Sequence, residues 1–297
     1  MSEFLQQVVN GLALGGAYAL FALSFTLVFG FLDIVNLGQA AILTYGAFGA
    51  YTVVATFGWP LWAGLITGFL VGAVLGLGFN SFVFRPLRRV SGGETGALVA
   101  GLGSLLLLTG AAQVFSDTRV KTFPQRDLSQ RVFNLGSVTV PYFQASMLLV
   151  SAIATVALLA FFRSTRLGKA MRVVGWNAEV ARLLGVPAER MIGYAFLIAG
   201  GMAGLAGVMI GVSFNYVYFA MGAPYLLKGL AAVILGGLGN VPGAVVGGLA
   251  IGLAESLTVG YLAASWREGV TFGILMVVLI VRPEGIFGRR GTRAQIL

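Results

Sequence analysis

Apolar runs recur along the whole 297-residue chain, at 4–31, 39–57, 60–84, 97–116, 143–162, 191–214, 226–238, 241–259 and 268–282. A helix needs about 20 apolar residues to cross roughly 30 Å of hydrocarbon. These runs are apolar on every side, whereas a soluble helix carries a single apolar stripe. The pattern predicts an all-α fold: a polytopic transmembrane helical bundle of about eight or nine hydrophobic segments, forming one membrane domain over the whole chain. The run 226–238 is short for a crossing, and "LGGLGNVPGA" places Gly and Pro where a turn is needed, so this span is expected to be short or broken. The first run, Phe4 to Phe31, follows no Lys or Arg and exceeds the apolar core of a cleaved signal, which marks it as a retained span.

The longest polar interruption is "GKAMRVVGWNAEVARLLGV", residues 168–186, within a cytoplasmic loop expected over about 163–190. It reads as a short helix with defined ends. Asn177 is placed to cap its N-terminus, Glu179 sits in the first turn where the helix dipole favours an anion, and Gly185 followed by Pro187 ends it. Val180, Leu183 and Leu184 share one face, Glu179 and Arg182 the other. A second amphipathic piece, Lys169 to Val174, precedes it. Two turns of helix are marginal alone in water, so the apolar face needs a surface. That surface is the bilayer interface, the protein's own bundle, or a groove on a cytoplasmic partner, and periodicity does not choose among them.

Charge adds an orientation. Arg85, Arg88 and Arg89 fall in one loop. Arg163, Arg166, Lys169, Arg172, Arg182 and Arg190 fall in and around the polar stretch, and Arg282, Arg289, Arg290 and Arg293 in the tail. Together these are thirteen of the 19 basic residues. All three regions face the cytoplasm if the N-terminus is outside and 226–282 crosses three times. The loop 117–141 is then outside, despite Arg119, Lys121, Arg126 and Arg131. The formal charge of +9 could suggest nucleic acid, but its placement in loops between spans is explained by the positive-inside bias, and no nucleic-acid partner is expected.

Glycine supplies 44 residues, about twice the usual ~7%. Gly64, Gly68, Gly72 and Gly76 recur every fourth position on one run. Gly200, Gly204, Gly207 and Gly211 line another, and Gly239, Gly243, Gly247, Gly248 and Gly252 a third. Such stripes let helix backbones approach closely; a surface that moves or conducts substrate is the sharper reading. No internal duplication is visible by eye.

The chain has no His and no Cys, which removes Cys/His zinc sites, disulfide frameworks, Ser–His catalysis and haem ligation by either residue. No GxxxxGK[ST] stretch is present, so the chain does not hold a nucleotide in a P-loop. Ionisable groups at membrane depth point to function. Asp33, with Asn36 and Gln39 at helical spacing, is either a cap between spans or part of a translocation route. Glu255 near a membrane surface and Lys228 near a span start either snorkel to water or form a structural pair, and direct contact with substrate is not expected of them. Trp59, Trp62, Trp176 and Trp266 fall near predicted span ends, as lipid-interface anchors do.

Several stretches together resemble a known family. "GWNAEVARLLGVP" is similar to the cytoplasmic coupling segment of ATP-binding-cassette importer permeases. Glu179, Ala181 and Gly185 match its E-x-A-x-x-x-G skeleton, with Val180 departing at the second position. "GLALGGAYALFALSFTLVFGFLDIVNLGQAAILTYGAF", "RPLRR" and "AAVILGGLGNVPGAVVGGLAIGLAE", in that order, resemble the branched-chain amino acid permease family of LivH type over nearly the whole chain.

The resemblance implies a multi-pass subunit of a bacterial inner-membrane importer, not itself an enzyme and holding no cofactor. Its partners would be a LivM-type permease, two cytoplasmic ATPases and an extracytoplasmic binding protein, in a lipid bilayer. Residues 177–185 (Asn177, Glu179, Val180, Ala181, Arg182, Leu183, Leu184, Gly185 among them) would then couple to the ATPase. The rivals are a urea or short-amide permease of the same family and a self-contained secondary transporter. The latter would more naturally show broken helices in two repeated halves. An intramembrane enzyme would need a nucleophile–base pair, and none is evident.

Overall fold

The computed structural model describes residues 2–32, 36–89, 93–124, 132–135 and 138–288. Among these, seven helical stretches are long and apolar enough to cross a membrane. Helix α1 (Ser2–Leu32) is followed by α2 (Gln39–Tyr51), which continues through a π-helical turn to Thr56. Helix α3 (Leu61–Gly78) runs through a second π-helical turn into α4 (Arg85–Arg89), and α5 (Gly93–Ser116) follows. Strands β1 (Val132–Leu135) and β2 (Val138–Pro141) pair antiparallel with Val132 opposite Pro141. This hairpin corrects the expectation of a plain loop at 117–141; four-residue strands carry too short a period-2 signal to be read beside long apolar runs. Helices α6 (Tyr142–Ser164), α7 (Arg166–Trp176), α8 (Ala178–Leu183), α9 (Ala188–Ser213), α10 (Gly222–Gly236), α11 (Val241–Tyr261) and α12 (Arg267–Val281) complete the bundle.

Helices α1 and α9 form its centre and touch each other; α5 and α12 lie at its edge. Glycine decides what packs on the central pair. A Cβ on Gly72 would overlap the Gly200 carbonyl and one on Gly200 the Gly72 carbonyl, so α3 and α9 meet backbone to backbone. On the other side of the centre, a Cβ on Gly11 would lie 2.8 Å from Leu253 Cα and one on Gly15 2.8 Å from Leu249 Cα, which joins α1 to α11. Both pairs are antiparallel. Close approach of this kind is how membrane helices gain packing without a hydrophobic driving force between them.

These contacts reveal an arrangement that sequence reading did not see. The series α1–α2–α3–α5 and α9–α10–α11–α12 have the same plan: a central helix, a break, a short helix, a glycine-bearing helix packed on the other series' centre, and a peripheral helix. The two central helices run in opposite directions, so the halves are inverted relative to one another. Their short helices begin side by side in the interior. The amide of Gly222 donates to Thr44 Oγ1 at 3.1 Å, and a Cβ on Gly222 would strike the Ala40 carbonyl. Helix α2 begins level with Ser24, whose carbonyl accepts from Gln39 Nε2 at 3.4 Å, well before α1 ends. The expectation of no internal duplication is therefore corrected. Lipid-solvated helices need only apolar character and small residues at the contacts, so two halves keep one plan without similar sequences.

The loops gather at two ends. Gln6 pairs with the backbone of Thr139, Lys121 bridges Val217, and Ser256 donates to the Gln7 carbonyl at one end. Arg88 meets Glu189, and Asn240 donates to the Phe287 carbonyl, at the other.

Candidate functional site

The polar stretch folds as two short helices. Thr165 Oγ1 accepts from Gly168 N at 2.9 Å and starts α7, longer than the Lys169–Val174 piece expected, and Gly168, Met171 and Val174 are buried on one face. Asn177, in extended conformation, accepts the amides of Glu179 at 2.9 Å and Val180 at 3.1 Å, and so caps α8 as expected. Gly185 has φ +78°, a left-handed residue at the helix end, with Val186 N donating back to the Ala181 carbonyl at 2.9 Å. Ala181 is fully buried where α8 meets the bundle.

The described residues do not cover the apolar face. Leu183 is 87% exposed, Leu184 70%, and Val180 and Trp176 are exposed beside them. Docking on the protein's own bundle, one of the three sequence readings, is thereby removed. The loop is tied to the first half of the molecule by Glu189, which lies 3.1 Å from Arg88, 3.6 Å from Arg182 and 3.9 Å from Arg85. The outer two pairs are open to solvent and contribute little stability. Their geometry still links α8 to α4.

Of the interior candidates, Asp33 lies outside the described residues. Asn36 and Gln39 come together at the break between α1 and α2, both buried. Asn36 Oδ1 accepts from Gly38 N at 3.0 Å, a side-chain turn just ahead of α2. Among the described residues, Asn36 Nδ2 and Gln39 Oε1 have no hydrogen-bond partner, and an unmet buried polar atom costs about 1–3 kcal/mol.

A charged cluster was missed. Glu255 is 0% and Lys228 4% exposed, and their charged atoms lie 2.7 Å apart. Tyr18 donates to Glu255 at 2.8 Å, Thr271 at 3.3 Å, and Arg267 Nε lies 3.3 Å away. Four helices, α1, α10, α11 and α12, meet at this one carboxylate. Snorkelling is overturned for both residues and the structural pair is found, because each is surrounded by helices on all sides. Lys228 also sits over the rings of Tyr18 and Tyr225 at 5.7 and 5.6 Å, and Arg267 over Phe214 at 5.0 Å. The only available signal was a Lys and a Glu inside apolar runs; their pairing depends on how α10 and α11 fold back on each other.

Residues 7–279 match the family described as branched-chain amino acid transport system / permease component. The high-affinity branched-chain amino acid transport system permease protein LivH of Escherichia coli (strain K12) is 31% identical, with 96% of each chain covered. BraD of Pseudomonas aeruginosa, of the same description, is 31% identical over 97% of this chain and 96% of its own. The autoinducer 2 import system permease protein LsrC of Yersinia pseudotuberculosis is 29% identical over 94% of this chain and 86% of its own. With nearly its whole length matched, the chain belongs to the family of branched-chain amino acid transport permease components.

Proposed function

We propose that the chain is a membrane subunit of an ATP-driven, binding-protein-dependent importer of branched-chain or other small amino acids in the bacterial inner membrane. Its own residues hold no nucleotide; two cytoplasmic ATPases supply the energy, and a related permease of LivM type completes the pore. The observation that carries this reading is the exposed apolar face of α8, capped at both ends and held to the bundle through Ala181 and Glu189. A rigid, amphipathic, uncovered helix suits a groove on a moving partner. Movement at α8 passes along the chain into α9 and, through Glu189, into α4 and α3.

The grouping of loops at two ends supports the orientation read from charge, with the N-terminus outside and Arg85–Arg89, the polar loop and the tail inside. Asn36 and Gln39, at the break between the central and short helices, belong in this reading to the translocation route, together with Asp33. Repeated halves no longer speak against a secondary transporter, so family membership and the shape of α8 carry the choice. Similarity to LsrC keeps the solute a separate question.

The test is isolation of the chain from its native membrane with bound proteins, followed by identification of the ligand on the associated binding protein and of uptake in proteoliposomes. ATP-dependent uptake of a small apolar amino acid is expected. Ion-coupled uptake by the chain alone would overturn the reading.

A further inference from the structure

The interior holds an unequal number of charges. Among the described residues, the Glu255 carboxylate faces two cations, Lys228 and Arg267. Glu268, the acid beside Arg267 in sequence, is exposed and pairs with neither. Lys228 is committed to Glu255 at 2.7 Å and enclosed by Tyr18 and Tyr225. Arg267 is not. Its Nε lies 3.3 Å from Glu255 without the alignment of a hydrogen bond, and its side chain is partly open. The cluster therefore carries a surplus positive charge on its partly open Arg267 side, where an anion can meet it.

Arg267 borders a cavity of about 180 Å³ between the N-terminal turns of α1, α6 and α12 and the C-terminal turns of α9 and α11. This is the end that the charge map places outside. Leu14, Phe143, Phe214 and Val259 form apolar wall. The Oε1 of Gln144 is buried there with no hydrogen-bond partner among the described residues. The nearby hydroxyl of Ser256 is already donated to Gln7 and that of Ser213 to Met209. Gln7 and Asn10 also line the cavity, and their oxygens already accept from Ser256 and Gln6. The Arg267 cation, the Gln144 acceptor, these two amides and an apolar wall are what the cavity offers a ligand.

We propose that this cavity is a binding site for a zwitterionic apolar amino acid, with Arg267 taking its carboxylate, Gln144 Oε1 its ammonium, and Leu14, Phe143, Phe214 and Val259 its side chain. The inference rests on the amino-acid import reading and adds to it a site on this chain and the group each residue recognises. The incoming carboxylate pairs with the cation that Glu255 shares least, and the ammonium meets the unpartnered acceptor.

The absence of native cysteine supplies the test. Val259→Cys places a single thiol on the cavity wall. Its modification by a membrane-impermeant thiol reagent is followed on this chain in the assembled transporter, without binding protein. L-leucine at ten times its dissociation constant is expected to slow modification about tenfold. L-leucinamide, which lacks the carboxylate, is expected to give no protection. Arg267→Gln abolishes protection by leucine and Gln144→Leu reduces it. Equal protection by the two compounds, or no protection by leucine, overturns the proposal. If Arg267→Gln does not accumulate, Gln144→Leu decides, since it lies outside the ion cluster: undiminished protection overturns the assignment. Uptake driven by leucine-loaded binding protein is measured in the same vesicles. Uptake without protection defeats this site alone, and no uptake of any amino acid defeats the import reading too.

Discussion

At Gly204 a single hydrogen replaces a side chain because the Gly68 carbonyl occupies the space where a Cβ would stand. Gly204→Leu therefore has to push α3 and α9 apart, a strain of about 1–3 kcal/mol or more in a packed core. A marked fall in folded, detergent-stable protein is expected, read by fluorescence-detected gel filtration after heating. Gly103→Ala is the control, because nothing lies within 4 Å of that position, and its stability is expected to match the wild type. Glu255 is the second residue on which much depends. Glu255→Gln leaves Lys228 and Arg267 facing no carboxylate, and breaking a buried pair this way costs roughly 3–5 kcal/mol. The double change Glu255→Gln with Lys228→Met removes one stranded cation and is expected to recover part of the lost thermal stability. No recovery would show that the Lys228–Glu255 pair is not what joins the four helices.

At the scale of elements, α8 and the two short interior helices differ in how much of them could be read from residues alone. The ends of α8 were legible because capping is local: Asn177 and Gly185 act on amides and carbonyls within four positions. The exposure of Leu183 was not legible, since the same amphipathic face fits lipid, bundle or partner. The apposition of α2 and α10 was also hidden. It depends on the hydrogen bond of Gly222 to Thr44 across a separation of 178 residues, and nothing in either run announces the other. A structural pair was one of two readings of Lys228 and Glu255, but that they pair with each other and gather Tyr18, Thr271 and Arg267 was hidden for the same reason. Asn177→Ala removes two hydrogen bonds from the start of α8 and is expected to cost about 1 kcal/mol of local stability. Hydrogen exchange at Ala178–Leu183 should quicken several-fold while α9 is unchanged; equal exchange in both proteins would show that the cap does not hold this helix.

The whole molecule is two inverted halves around α1 and α9, with α6 packed against α1 and the polar loop projecting at one end. The spans themselves were legible because a bilayer demands length and apolarity. The halves were not, because it demands little else. The charge map makes a definite statement at this scale. Reporters fused within 163–190 or after Leu297 are expected to read cytoplasmic and one within 117–141 extracytoplasmic. Finding 117–141 and 163–190 on one side would overturn both the map and the assignment of α8 to a cytoplasmic partner.

Seating of the apolar face of α8 in a groove on an ATPase, as proposed, is tested by recovery of ATPase with Leu183→Asp, purified from membranes holding the same amount of permease as the wild type. Leu183 touches no span and is almost wholly exposed, so insertion is expected to be normal. A carboxylate forced into an apolar groove is costly enough to break docking. Loss of most of the co-purifying ATPase is expected, with transport and transport-coupled ATP hydrolysis falling together. Wild-type recovery of ATPase with this variant would contradict the account, leaving α8 as a helix that rests on lipid.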